Sequence, residues 1–224
     1  MWTLRRIGLL ASAFGASSFV AVTTASAADN TPGQEATNRL FAFVLFFALA
    51  IGVFVIALLV FVALKFRKRR GHTQPDPNPK THHSTLEAIW TIVPALILLA
   101  VGVMTFQTLA VTDTIPENPD VTVTVIGHQW YWEFRVQHAN GTWENTTGEF
   151  SVKVGQKVKL IIESADVAHA LYVPEFQLKK DAIPGTPNVY WFQPRNAGDF
   201  DIRCAEFCGT SHYAMVGTLH VLAG

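Results

Sequence analysis

The sequence predicts two parts: a membrane α-helical hairpin of two transmembrane helices, and behind it an all-β sandwich or small barrel. Three observations carry this prediction. Two long apolar blocks lie in the first half of the 224 residues. A basic cluster, "KFRKRR" at residues 65–70, stands between them. From Asp120 onward β-branched and aromatic residues alternate with polar ones, the period-two pattern of half-buried strands.

The N-terminal residues 1–27 have a basic start (Arg5, Arg6), a modest apolar centre and a closing Ala25-Ser26-Ala27. That is the pattern of a cleaved secretory signal peptide. The block at about residues 40–64 carries no charge and exceeds the ~20 residues that cross a bilayer. Basic residues mark the cytoplasmic side of a span, so this helix enters from outside and ends inside at KFRKRR. A polar loop with Pro75, Pro77 and Pro79 follows. The second span, at about residues 87–110, runs back outward and contains Pro94, a kink that neighbouring helices can cover. Glu87 stands at its inner edge, where position alone makes it interfacial. The predicted division is therefore a signal at 1–27, two spans and their loop at 28–111, and an outer domain at 112–224.

The formal net charge is zero, which argues against a nucleic-acid partner. The balance conceals an asymmetry: from Val111 onward there are 8 basic and 13 acidic residues. An acidic outer domain draws basic partners. Its predicted strands lie in "DVTVTVIGHQWYWEFRV", "FSVKVGQKVKLIIES", "NVYWFQPRNAGDFDIRC" with a turn at Gly198-Asp199, and "GTLHVL". Short strands punctuated by turns predict a sandwich or barrel.

The stretch "RCAEFCGTSHYAMVG" holds the only two cysteines, Cys204 and Cys208, followed by His212 and Met215. A disulfide across three intervening residues would close a small loop and add little stability. Zinc would need a second histidine and would leave Met215 idle. Copper accommodates all of them, since thiolate and thioether are soft and imidazole suits it. The spacing Cys-x3-Cys-x3-His-x2-Met has one cysteine more than a single-copper site needs, so two copper ions can share bridging sulfurs. His169, in "ESADVAHALYVPEF", is the best further candidate, although a lone histidine there also reads as a core residue. His128 and His220 read as structural.

At these residues the chain resembles subunit II of the haem–copper cytochrome c oxidases. "CAEFCGTSHYAM" resembles that family's binuclear copper (CuA) loop, "GHQWYWEF" its aromatic segment, "LEAIWTIVP" the start of its second transmembrane helix, and "LKKDAIPG" a further signature. The resemblance implies a cupredoxin-like Greek-key domain. It implies copper ligation by His169, Cys204, Cys208, His212 and Met215, with Glu206 ligating through its backbone carbonyl and helping hold magnesium through its carboxylate. It also implies that electrons come in at Trp130, beside Tyr131 and Trp132, and that Glu87 stands at a proton-path entrance. The implied partners are the haem-bearing catalytic subunit I, other oxidase subunits, and a soluble or membrane-bound cytochrome c. The signal peptide points to a bacterial plasma membrane over a mitochondrion, with the C-terminal domain on the periplasmic side. One departure from the family's pattern is His169-Ala170-Leu171-Tyr172, where the family often has an aromatic residue sooner after the histidine; no Cys-x-x-Cys-His haem site of the variant with a fused cytochrome c follows Met215, so a separate donor is expected. Glu163, Asp166 and Glu175 are candidates for steering a basic cytochrome.

Two other readings compete. A quinol-oxidase relative keeps the fold without copper, which the intact Cys204, Cys208, His212 and Met215 oppose. A membrane-tethered copper carrier explains the ligands but not Glu206, the aromatic run, or Glu87 with Trp90.

Overall fold

The computed structural model describes residues 29–67 and 82–224. The predicted signal peptide and most of the inter-helix loop lie outside those residues. Two helices come first, α1 (Pro32–Lys65) and α2 (Ser84–Thr112). Thr31 caps α1 by accepting from the Gln34 amide at 3.1 Å, with Pro32 in the first turn and Lys65 in the last. Each suits its end: oxygen acceptors and a proline at the start, a cation at the finish. The helix starts well before the apolar block, because Pro32 to Arg39 continue it as polar turns. No residue of either helix is buried. Apolar side chains facing outward all round suit lipid, not water. α2 runs unbroken through Pro94.

Ten strands follow: β1 (Val121–His128), β2 (Tyr131–His138), β3 (Trp143–Thr147), β4 (Glu149–Lys153), β5 (Val158–Ser164), β6 (His169–Val173), β7 (Leu178–Ala182), β8 (Asn188–Phe192), β9 (Gly198–Cys204) and β10 (Val216–Leu222). They form two five-stranded sheets, ordered β3-β2-β1-β5-β8 and β4-β10-β9-β6-β7. The chain passes repeatedly from one sheet to the other, and β1–β5 and β10–β4 pair in parallel. This is a cupredoxin-like Greek-key sandwich. Alternation fills it: Val121, Val123 and Val125 from β1, Trp132 and Phe134 from β2, and Leu160 and Ile162 from β5 meet Leu171, Ile202 and Leu219 of the facing sheet.

One predicted turn is displaced. Gly198-Asp199 begins β9 instead of joining two strands of one sheet, and the connection lies at residues 193–197. Pro194 lacks an N–H and cannot extend a ladder, so the chain leaves the first sheet there and enters the second.

Candidate metal centre

Four segments converge at one end of the sandwich: the end of β1 with the start of β2, the start of β6, the end of β9, and the loop leading into β10. His169 opens β6 and is fully buried. Its Nε2 lies 2.8 Å from Asp166 Oδ1, and its Nδ1 lies 3.8 Å from Cys204 Sγ. A carboxylate at Nε2 takes that N–H and leaves Nδ1 as the lone-pair nitrogen, the outer-shell arrangement found behind metal-bound histidines. Burial by itself would raise the Asp166 pKa. The bonds from His169, the Val167 amide and the Gln129 amide outweigh it and hold the carboxyl below its ordinary value.

The two cysteines are free thiols with sulfurs 3.8 Å apart. Cys204 Sγ donates to the Glu206 carbonyl at 3.2 Å. Cys208 Sγ lies 3.4 Å from His212 Nδ1 and 3.8 Å from Met215 Sδ. Burial, and then the neighbouring Cys204 charge, push the Cys208 thiol up to about 11. A metal binding there must therefore expel its proton. The His169, Cys204 and Cys208 donor atoms all lie within 4.8 Å of one another. Two thiols, two imidazoles, a thioether and a carbonyl thus face one small volume, and the donor set fits copper. Among the described residues no second group of three His, Cys, Asp or Glu brings one donor atom each to within 4.8 Å of the others. The Glu206 carboxylate is exposed.

The aromatic run divides. Trp130 is 37% exposed, and its Nε1 donates to the Cys208 carbonyl at 3.3 Å. Tyr131 is exposed and stacks on His128, with centroids 4.5 Å apart. Trp132 is fully buried, edge-on to His169. Period two turns it inward, so a partner on the surface meets Trp130 and Tyr131 but not Trp132. Glu87 is remote from this end: in the first turn of α2 it accepts from the His83 amide at 2.9 Å, and His83 Nδ1 in turn accepts from the Leu86 amide.

Three contributors escape a reading of the sequence. A Cβ on Gly127 would stand 2.8 Å from His169 Cδ2 and 3.3 Å from Trp132 Cζ3. Gly209, at φ +121°, lets Trp130 pack on the loop, since a Cβ there would lie 3.3 Å from the indole. Gln129 donates to the Cys208 carbonyl. The visible signal was the run "GHQW", in which the aromatics draw attention away from the glycine and the glutamine.

The family model for the transmembrane domain of cytochrome c oxidase subunit II matches residues 21–108, and that for its periplasmic domain matches residues 144–221. The chain belongs to the cytochrome c oxidase subunit II family. It is 31% identical over 211 residues to a probable cytochrome c oxidase subunit 2 of Rickettsia bellii, covering 86% of this chain and 77% of that one. The subunit 2 of Cereibacter sphaeroides is 32% identical over 216 residues, covering 81% and 70%. Among solved structures, the periplasmic domain of subunit II of cytochrome oxidase from Bradyrhizobium japonicum matches with 29% identity and a TM-score of 0.45, covering 49% of this chain and 88% of that one. As a member of the family the chain is a subunit of an oxidoreductase complex, with other oxidase subunits as partners. It has two membrane-spanning helices followed by a periplasmic domain, and the family implies copper.

Proposed function

We propose that this chain carries the binuclear CuA centre of its oxidase, accepting electrons from cytochrome c and passing them to haem in the catalytic subunit. Oxygen is reduced to water there, with proton translocation. The observation that carries this reading is the gathering of His169, Cys204, Cys208, His212, Met215 and the Glu206 carbonyl around one pair of sulfurs. Copper bound there supplies a one-electron acceptor and donor whose charge is shared across two thiolates.

The residues around it have separate tasks. Asp166 fixes the tautomer and direction of the His169 ring. Burial of Cys208 and Met215 keeps water from their sulfurs, while Cys204 is half-buried. Trp130 and Tyr131 present aromatic surface to the donor, and Trp130 is bonded directly to a ligand's carbonyl. The Glu206 carboxylate is an oxygen ligand suited to magnesium. Among the described residues no second such donor cluster gathers, and in this reading the ion's remaining ligands come from the catalytic subunit. Glu87 would serve at a proton-path entrance, since α2 begins with it on the inner side. In this reading residues 1–27 are removed, 28–111 anchor the chain and 112–224 form the copper domain.

Metal analysis and EPR of the copper-loaded chain test the assignment. Two coppers per chain sharing one unpaired electron are expected. A single copper, or none, overturns it.

A further inference from the structure

The tip of the β1–β2 hairpin touches both ligand-bearing segments and supplies no ligand. The backbone N–H of Gln129 donates to Asp166 Oδ2 at 2.7 Å, and the other oxygen of that carboxylate holds His169 at 2.8 Å. The Gln129 side-chain amide donates to the Cys208 carbonyl at 2.6 Å. One residue therefore reaches the His169 segment with its backbone and the cysteine loop with its side chain. We infer that Gln129 is a positioning residue, a two-armed clamp that sets His169 and the Cys208 loop at the spacing the metal requires before any metal arrives. The inference rests on the copper reading above and deepens it.

The cysteine loop needs such a tie. Between Cys204 and Met215 its regular structure is a three-residue 3-10 turn, His212–Ala214. Its ends are closed by the Cys204 amide bonding the Met215 carbonyl at 3.1 Å. The middle, at Cys208, is held across the site by the hairpin tip. Trp130 reaches the same carbonyl, but at 3.3 Å against 2.6 Å for Gln129, so the glutamine makes the stronger contact. The clamp thereby also fixes the surface against which Trp130 leans. Preorganisation of this kind separates a site that binds metal in one geometry from a loop that merely contains ligands.

The two arms can be separated by experiment. Replacing the side chain leaves the backbone arm to Asp166 in place and releases only the Cys208 arm. Gln129→Met keeps nearly the same length and loses the donor. In the full chain in detergent, reduced and metal-free, the thiols are alkylated with iodoacetamide and the rate is timed. Gln129→Met is expected to react roughly three- to tenfold faster, the effect of losing one hydrogen bond, with an unchanged thermal midpoint. Its copper-loaded form should show shifted visible absorption bands. Gln129→Asn keeps the amide one methylene short and should fall between the two.

An alkylation rate equal to the parent's overturns the clamp. So does an acceleration that merely follows a drop in thermal midpoint, because that is general loosening. If the parent chain takes up no copper, the proposed function fails while the alkylation result still judges the clamp.

Discussion

At Gly127 the absence of a side chain is what seats a ligand. A methyl group there would press on the His169 ring at 2.8 Å and 3.1 Å. The ring cannot swing away freely: Asp166 holds its far nitrogen, and the fully buried Trp132 closes the side. Overpacking of this kind costs about 1–3 kcal/mol. Gly127→Ala is expected to fold while its imidazole tilts off the thiols, and its copper should be lost to a competing chelator on the order of tenfold more readily, as for disturbed outer-shell partners. Retention equal to the parent's would dismiss the idea. At Trp130 the expected effect is on rate instead. Trp130→Leu should slow reduction by cytochrome c with the copper absorption little changed, as read by stopped-flow mixing; unchanged rates would deny it the receiving role. Asp166 belongs here too. Proposed from its charge as a steering residue, it is occupied by His169, Gln129 and Val167, so its removal should disturb the site before it disturbs docking.

At the scale of elements, alternation along a strand decides function. In β2 it sends Tyr131 outward and Trp132 inward, although adjacent aromatics look equivalent in the sequence. The edge of the second sheet shows another consequence. His220 of β10 lies between Asp199 of β9 at 2.6 Å and Glu149 of β4 at 3.3 Å. Hydrogen bonds to Asp199 first and Glu149 second raise the His220 pKa above its ordinary value. The folded state thus binds this proton more tightly than the unfolded one. The stabilisation is complete below about pH 6.5, the unfolded value, and is lost as pH rises through the raised folded value. Urea midpoints measured from about pH 5 to 9 should decline across that window, and His220→Gln should flatten the decline. An identical slope in the variant would remove His220 as its source. The side chain is about a third exposed, so the effect is modest.

At the scale of the molecule, the outer ends of the hairpin are strapped to the metal domain. Asn30 is the centre of the strap. Its Nδ2 donates to the Glu175 carbonyl at 2.9 Å, its carbonyl accepts from the Arg195 amide at 2.9 Å, and its Oδ1 accepts from Asn196 at 2.9 Å. Glu35 pairs with Arg195 at 2.8 Å, Gln177 donates to Asn38 at 2.9 Å, and Trp191 donates to the Val111 carbonyl at 3.2 Å. These contacts fix the sandwich to the outer ends of the hairpin. Asn30→Ala should loosen the junction by about 1–3 kcal/mol, opening residues 113–119 to limited proteolysis while the copper spectrum stays as in the parent. A protease pattern identical to the parent's would show that the remaining contacts suffice.

Much of this was legible in the chain because it is locally encoded. A span must satisfy its backbone within itself and present apolar surface throughout, so it appears as one contiguous block. Cys204, Cys208, His212 and Met215 lie within one short loop, so a soft-ligand site could be read from their spacing, while a role for Glu206 came only with the family resemblance. The two helices, the all-β domain and the soft-ligand loop were therefore determined by the sequence itself. The tertiary structure decided the rest: that Asp166, though partly exposed, orients His169, that Trp132 packs inside while Trp130 rests on the Cys208 carbonyl, that Gly127 must lack a side chain, and that Asn30 ties the helical hairpin to the metal domain. Apart from Asp166 with His169, three residues away, these are contacts between segments far apart in sequence. Such contacts come from which strands pair and which way the alternation turns, and no short stretch of residues contains that information.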